Sequence, residues 1–126
     1  MKSGCLLMKI GIDCVEIKRI KKLMKHKSLE KVFSRQELEN ILTCKHSYQR
    51  ASGYFAVKEA VLKALNIGLY NGLSLNKICV IYNSAGAPIL EITPELNQIM
   101  QQQNLNQVEI SITHTKKQAV AVCIMQ

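Results

Sequence analysis

Three charged residues in this chain have the types and spacing to hold a cation and a phosphate: Asp13, Glu59 and Lys63. Asp13 follows the apolar run Ile10-Gly11-Ile12, where a strand pattern gives way to a basic segment. Glu59 and Lys63 lie four residues apart in Phe55-Ala56-Val57-Lys58-Glu59-Ala60-Val61-Leu62-Lys63-Ala64, so on a helix they share a face. Magnesium binds through one or two carboxylates completed by phosphate oxygens and water. Two carboxylates and a lysine in a basic chain therefore suit a divalent cation holding a phosphorylated substrate. Each residue also has an ordinary reading. Asp13-x-x-Glu16 has capping-box spacing, and one carboxylate oxygen could cap a helix while the other binds metal. Glu59 and Lys63 have the order of a surface ion pair worth a few tenths of a kcal/mol. Their neighbours are nearly all apolar, however, and a charged pair on a mostly buried helix needs a reason.

Other features are weaker alone. His114 falls in a predicted hairpin turn, flanked by Thr113 and Thr115 and followed by Lys116 and Lys117. Hydroxyls, backbone N–H groups and lysines in a tight turn can cradle phosphate, and the same composition suits an ordinary exposed turn. Lys18, Arg19, Lys21, Lys22, Lys25 and Lys27 crowd one predicted helix. They make either a solvated face or a docking surface for an acidic partner. There is no Walker-type loop, GxGxxG or Ser/His/Asp arrangement.

These residues must be positioned by one domain. A chain of 126 residues, 48% hydrophobic, can bury a real core and is a poor candidate for disorder. Residues 1–8 read as an N-terminal extension and 9–126 as a single domain, since the ordered pattern begins at Lys9. Seventeen basic residues against nine acidic give a net charge of +8, which argues for an anionic partner. The basic residues are not interleaved with stacking aromatics, which argues against single-stranded nucleic acid. The five cysteines form no CxxC pair and read as small buried hydrophobes rather than zinc ligands. No apolar run is long enough for a membrane span or a signal h-region, so a reducing cytoplasm is the expected compartment.

The pattern predicts a strand over Lys9 to Asp13 and a helix from Asp13 to about Lys27. Ser34-Arg35-Gln36-Glu37 is a capping box opening a second helix. A third runs from a Ser47 cap to about Leu65, with Asn66-Ile67-Gly68 as its stop. Gly53 inside it costs about 1 kcal/mol against Ala, which points to a close packing partner. Lys77 to Tyr82 and Pro88 to Ile92 read as a hairpin. Thr93-Pro94-Glu95 opens a fourth helix. Val108 to Thr113 and Gln118 to Met125 read as a second hairpin, half-buried because Val108, Ile110 and Ile112 alternate with polar residues. The fold class is α+β, helices mostly early and an antiparallel sheet mostly late.

Five segments, in order and register, resemble the holo-[acyl-carrier-protein] synthase family, the small bacterial 4′-phosphopantetheinyl transferases. They are Ile10 to Ile20, Phe33 to Leu38, Arg50 to Ala64, Gly86-Ala87-Pro88 and Ser111-Ile112-Thr113-His114-Thr115. The resemblance implies the 4′-phosphopantetheinyl transferase fold, a long helix packed on an antiparallel sheet, assembled as a homotrimer with sites at subunit interfaces. It implies Mg²⁺-dependent transfer of 4′-phosphopantetheine from coenzyme A to a serine of an acidic apo acyl carrier protein. Adenosine 3′,5′-bisphosphate is released, and the reaction serves fatty acid biosynthesis. Asp13 and Glu59 match the family's metal carboxylates, and Lys63 its lysine beside the pyrophosphate. Glu59, directly or through a metal-bound water, would be the base. Lys58, Pro88, His114, Thr115 and Arg50 would line the coenzyme A site. Arg19, with Lys18, Lys22 and Lys25, would dock the carrier protein.

The chain departs from the family where Tyr54 replaces a frequent Arg, where Ser52 replaces a frequent Ala, and in Asn66-Ile67-Gly68. Loss of that Arg removes a phosphate contact that Arg50 or Lys58 could replace. Two rival readings remain, a nonenzymatic binder that keeps the fold and a small nucleic-acid-binding protein. Neither would need Asp13, Glu59 and Lys63 together.

Overall fold

The computed structural model describes residues 7–26, 28–68 and 72–126. Lys27, and Met1 to Leu6 of the expected extension, lie outside that set. In chain order the elements are β1 (Lys9–Glu16), α1 (Ile17–His26), α2 (Arg35–Thr43), α3 (Ser47–Leu65), β2 (Val80–Tyr82), β3 (Pro88–Leu90), α4 (Pro94–Gln102), β4 (Val108–His114) and β5 (Gln118–Met125), with short 3-10 turns at Leu29–Lys31 and Leu75–Lys77. The strands form two antiparallel sheets, one ordered β1-β5-β4 and one made by β2 and β3.

β1 is longer than the expected strand, and it removes the expected Asp13 cap. It pairs with β5 over its whole length, from Lys9 opposite Met125 to Glu16 opposite Gln118. That partner satisfies the backbone of Cys14, Val15 and Glu16, so the local capping signal loses to the ladder. Helix α1 begins only at Ile17, whose N–H donates to the Lys117 carbonyl of the β4–β5 turn at 2.9 Å. Asp13 therefore sits within a strand, opposite Ala121.

The other local signals form as their chemistry dictates. Ser34 accepts from the Glu37 N–H while the Glu37 carboxylate accepts from the Ser34 N–H. Thr93 caps α4 through the Leu96 N–H, with Pro94 in the first turn. Helix α3 ends at Asn66 in the left-handed region, φ 57°, where Asn is tolerated better than most residues. Its N-cap position is His46, not Ser47, and His46 makes no side-chain cap bond.

Helix α3 is the core of the molecule. Tyr54, Ala56, Val57, Ala60, Val61, Ala64 and Leu65 are buried on it. One face of the three-stranded sheet supplies Val15, Ala119, Ala121, Cys123 and Met125 to the same core. The small alanines let strand and helix approach closely, and Gly11 closest of all. A Cβ built on Gly11 would lie 1.9 Å from the Ala60 carbonyl oxygen and 2.7 Å from the Ala64 nitrogen. Gly53 has the close partner its position suggests: a Cβ there would lie 3.1 Å from Cγ2 of Ile112 on β4. Cys79 and Cys123 are buried as expected, whereas Cys14 is exposed.

The opposite face of the sheet is open. Ile10 and Ile12 are 64% and 60% exposed. Their register partners Ile124 and Val122, together with Val120, continue the apolar surface across β5.

Candidate active site

The Gly11 contact builds the charged cluster. With β1 pressed on α3 at Ala60 and Ala64, Asp13 lands beside the residues that flank them. The Lys63 ammonium donates to Oδ1 of Asp13 at 3.2 Å and to the Ile12 carbonyl at 3.0 Å. Residues fifty positions apart in sequence thus meet through one glycine. Glu59, half-buried one turn before Lys63, feels the same group. Burial first, and then the negative charge of Asp13, push its carboxyl above the usual glutamate range, while Lys63 and Arg19 pull it back. Asp13, Glu59, Lys63 and Arg19 are therefore one electrostatic unit.

The donor set fits a magnesium ion. Two carboxylates close enough to repel one another gain from a cation between them. Among the described residues no group of three or more His, Cys, Asp or Glu side chains could ligate a metal. Water and a substrate's phosphates would have to complete the sphere, which is magnesium's habit.

A second feature lies around the N-terminal half of α3. A cleft of about 430 Å³ is lined by Cys44, Lys45, His46, Gln49, Arg50, Gly53, Tyr54, Tyr82, Pro88, Ile112 and His114. Three of the expected coenzyme A residues, Arg50, Pro88 and His114, converge here from α3, β3 and β4. His114 is the last residue of β4 rather than part of the turn, and its Nδ1 lies 2.7 Å from Nε2 of Gln49. Gln49, Tyr54 and Tyr82 were not among the expected contacts. Gln49 is signalled only by helical spacing beside Arg50, Tyr54 by its place at the family's frequent Arg, and Tyr82 has no signal.

Two expected contacts do not join this cleft. Thr115 lies in the β4–β5 turn, where its hydroxyl accepts from the N–H groups of Lys117 and Gln118. Its own N–H donates to the Gln118 carbonyl, so these groups hold the turn together rather than open a phosphate cradle. Lys58 corrects the sequence expectation more sharply. It is fully buried and paired at 2.7 Å with the equally buried Glu37. Its ammonium also donates to the carbonyls of Leu75 and Ile78. The second Glu37 oxygen accepts from the Val80 N–H at 3.0 Å. This network ties α2, α3 and β2 together, and its cation has no donor left for a ligand. Burial pushes Lys58 below the usual lysine range, and Glu37 opposes that shift.

On α1, Ile20 is buried while Lys18, Arg19, Lys22 and Lys25 are exposed. The helix is anchored by its apolar side and offers a cationic one. Lys21 is drawn across the Tyr48 ring, 5.4 Å from its centroid. No helix among the described residues is long and apolar enough to cross a membrane.

Residues 9–123 match the model of the 4′-phosphopantetheinyl transferase superfamily. The chain belongs to that superfamily. Within it the chain is an enzyme of the holo-[acyl-carrier-protein] synthase type. The holo-[acyl-carrier-protein] synthase of Clostridium botulinum is 37% identical over 119 residues, covering 93% of this chain and 95% of its own. That of Clostridium acetobutylicum is 34% identical, with the same coverage. Among solved structures, the Helicobacter pylori enzyme in complex with coenzyme A has a TM-score of 0.78 at 33% identity, covering 93% of this chain and 99% of that one. The Neisseria meningitidis enzyme shares the fold with a TM-score of 0.86.

Proposed function

We propose that this protein transfers 4′-phosphopantetheine from coenzyme A to a serine of an acidic apo acyl carrier protein, with Mg²⁺ as cofactor, in support of fatty acid biosynthesis. The observation that carries the reading is the meeting of Asp13, Glu59 and Lys63 through the Gly11 contact. Relatives named for this reaction, and a similar structure that holds coenzyme A, support it.

In this reading Asp13 and Glu59 hold the ion, which when bound neutralises charge on the pyrophosphate. The Lys63 side chain is 55% exposed and its ammonium is held beside Asp13, so it can turn to meet the leaving group's developing charge. Glu59 would be the base that takes the serine hydroxyl proton as the serine oxygen bonds to phosphorus. The P–O bond to adenosine 3′,5′-bisphosphate breaks, and no net redox change occurs. Arg50, Pro88 and His114 line the cleft that takes the nucleotide end. The exposed cations of α1, among them Arg19, whose charge acts on Glu59, dock the carrier protein's acidic surface.

The assembly in this reading is a homotrimer, and the open sheet face supports self-association. Ile10, Ile12, Val120, Val122 and Ile124 form an apolar patch of the kind that marks an interface. Copies of the chain would cover it. None of the cleft's lining residues is Asp13, Glu59 or Lys63, so assembly would bring one chain's cleft to its partner's carboxylates.

Asp13→Asn and Glu59→Gln test the site. Each should reduce transfer by at least about 100-fold, the scale of losing one preorganised charge contact, with melting temperature retained. Transfer at wild-type rates from either folded variant would end the reading.

A further inference from the structure

The cleft contains an arrangement that no matched motif accounts for. Tyr54 is almost fully buried, and its hydroxyl lies 2.8 Å from the Tyr82 hydroxyl. Tyr82 is the last residue of β2, opposite Pro88 on β3, so this bond ties the small sheet to α3 across the cleft. The Tyr82 ring in turn carries the Arg50 guanidinium, 5.5 Å from its centroid. Arg50 is an exposed side chain at the first turn of α3 that would sample many rotamers without such neighbours, and the Tyr54 hydroxyl acts on it from the same side. Contact with the ring restricts the guanidinium, and Arg50 lines the cleft, where its N–H donors can serve a ligand.

We infer that Tyr82 is a positioning residue that holds Arg50 to read the 3′-phosphate of the nucleotide. Tyr82 thereby sets the preference for coenzyme A over dephospho-coenzyme A, which lacks that phosphate. The inference rests on the reading of the cleft as the nucleotide site. The pyrophosphate belongs with Asp13, Glu59 and Lys63, so the remaining anionic group of coenzyme A is the one left for Arg50. A planar guanidinium can meet a phosphate through two parallel N–H···O bonds, and a fixed plane makes that pairing selective.

The test is the ratio of kcat/KM for coenzyme A to that for dephospho-coenzyme A. Arg50→Ala should bring the ratio close to one. Tyr82→Leu should lower it about 2- to 5-fold, the range for a partly exposed cation–π contact. Tyr82→Phe keeps the ring and should retain most of the preference, which separates positioning from a loss of fold. Melting curves show whether each variant is folded. If Arg50→Ala lowers the ratio while Tyr82→Leu affects both substrates equally or neither, Tyr82 is only structural and the inference fails alone. If Arg50→Ala and His114→Ala leave both substrates untouched, the cleft is not the nucleotide site, and both readings fail.

Discussion

Replacing Gly11 by Ala adds one methyl group at the contact on which the site depends. Its Cβ would meet the Ala60 carbonyl oxygen at 1.9 Å, the Ala60 carbonyl carbon at 2.9 Å and the Ala64 nitrogen at 2.7 Å. All three are backbone atoms of a buried helix, so no side chain can swing aside. Ordinary contact begins near 3.4 Å, so β1 must retreat from α3 by about 1.5 Å. Overpacking by a methylene costs about 1–3 kcal/mol where neighbours can adjust. Here they cannot, and a loss of about 3 kcal/mol or more is expected, roughly 10 °C in Tm. Asp13 retreats with the strand, so transfer should fall further than stability alone explains. Gly53→Ala is the control. Its new methyl meets only Ile112 Cγ2, at 3.1 Å, and the gain in helix propensity of about 1 kcal/mol offsets the crowding. Thermal and urea unfolding of both variants, at equal protein concentration because assembly would shift Tm, reads the difference. Gly11→Ala within about 0.5 kcal/mol of wild type, the range of an ordinary surface change, would refute the close approach of β1 to α3.

Lys58→Met should destabilise by about 3–5 kcal/mol, because it leaves Glu37 charged and buried without its cation; the folded fraction should keep the wild-type KM for coenzyme A, which steady-state kinetics at low temperature would show. In the metal-free protein Glu59, with its carboxyl raised, contributes stability that is fully present below the usual glutamate pKa and lost as pH rises through the raised value. Glu59→Gln should therefore match or exceed the metal-free wild type at pH 8, by less than about 1 kcal/mol given the exposure of the site, and lose that advantage toward pH 4 in pH-resolved melts. Ile12→Glu places a charge on the open sheet face and should give monomers by light scattering, with helicity retained and transfer lost.

Much of this architecture was legible because its signals are local. The Ser34–Glu37 capping box, the Thr93-Pro94 start and the alternation of β4 each depend on residues within a few positions of one another. The local capping pattern at Asp13 makes β1 look shorter than it is, because its extension to Glu16 is decided by β5, more than a hundred residues away. The place of Lys58 is hidden in the sequence for the same reason. It lies next to Glu59 in a site motif, yet successive helical residues point about 100° apart, and its partner Glu37 is recognisable only once α2 packs on α3. Asp13 and Glu59 stand out in the sequence because a motif carries them, but Gly11, which brings β1 to α3, shows its role only when a missing side chain is measured against Ala60. Tyr82 had no signal at all, since its importance comes from a contact across the chain.

The central claim is tested most directly by mass spectrometry of apo acyl carrier protein incubated with this protein, coenzyme A and Mg²⁺, beside a reaction containing EDTA. The account predicts that the carrier gains one phosphopantetheine on its serine, and that EDTA abolishes the gain. An unmodified carrier, from protein shown to be folded and assembled, would contradict it; so would a gain that EDTA leaves untouched, since Asp13 and Glu59 would then hold no ion that the reaction needs.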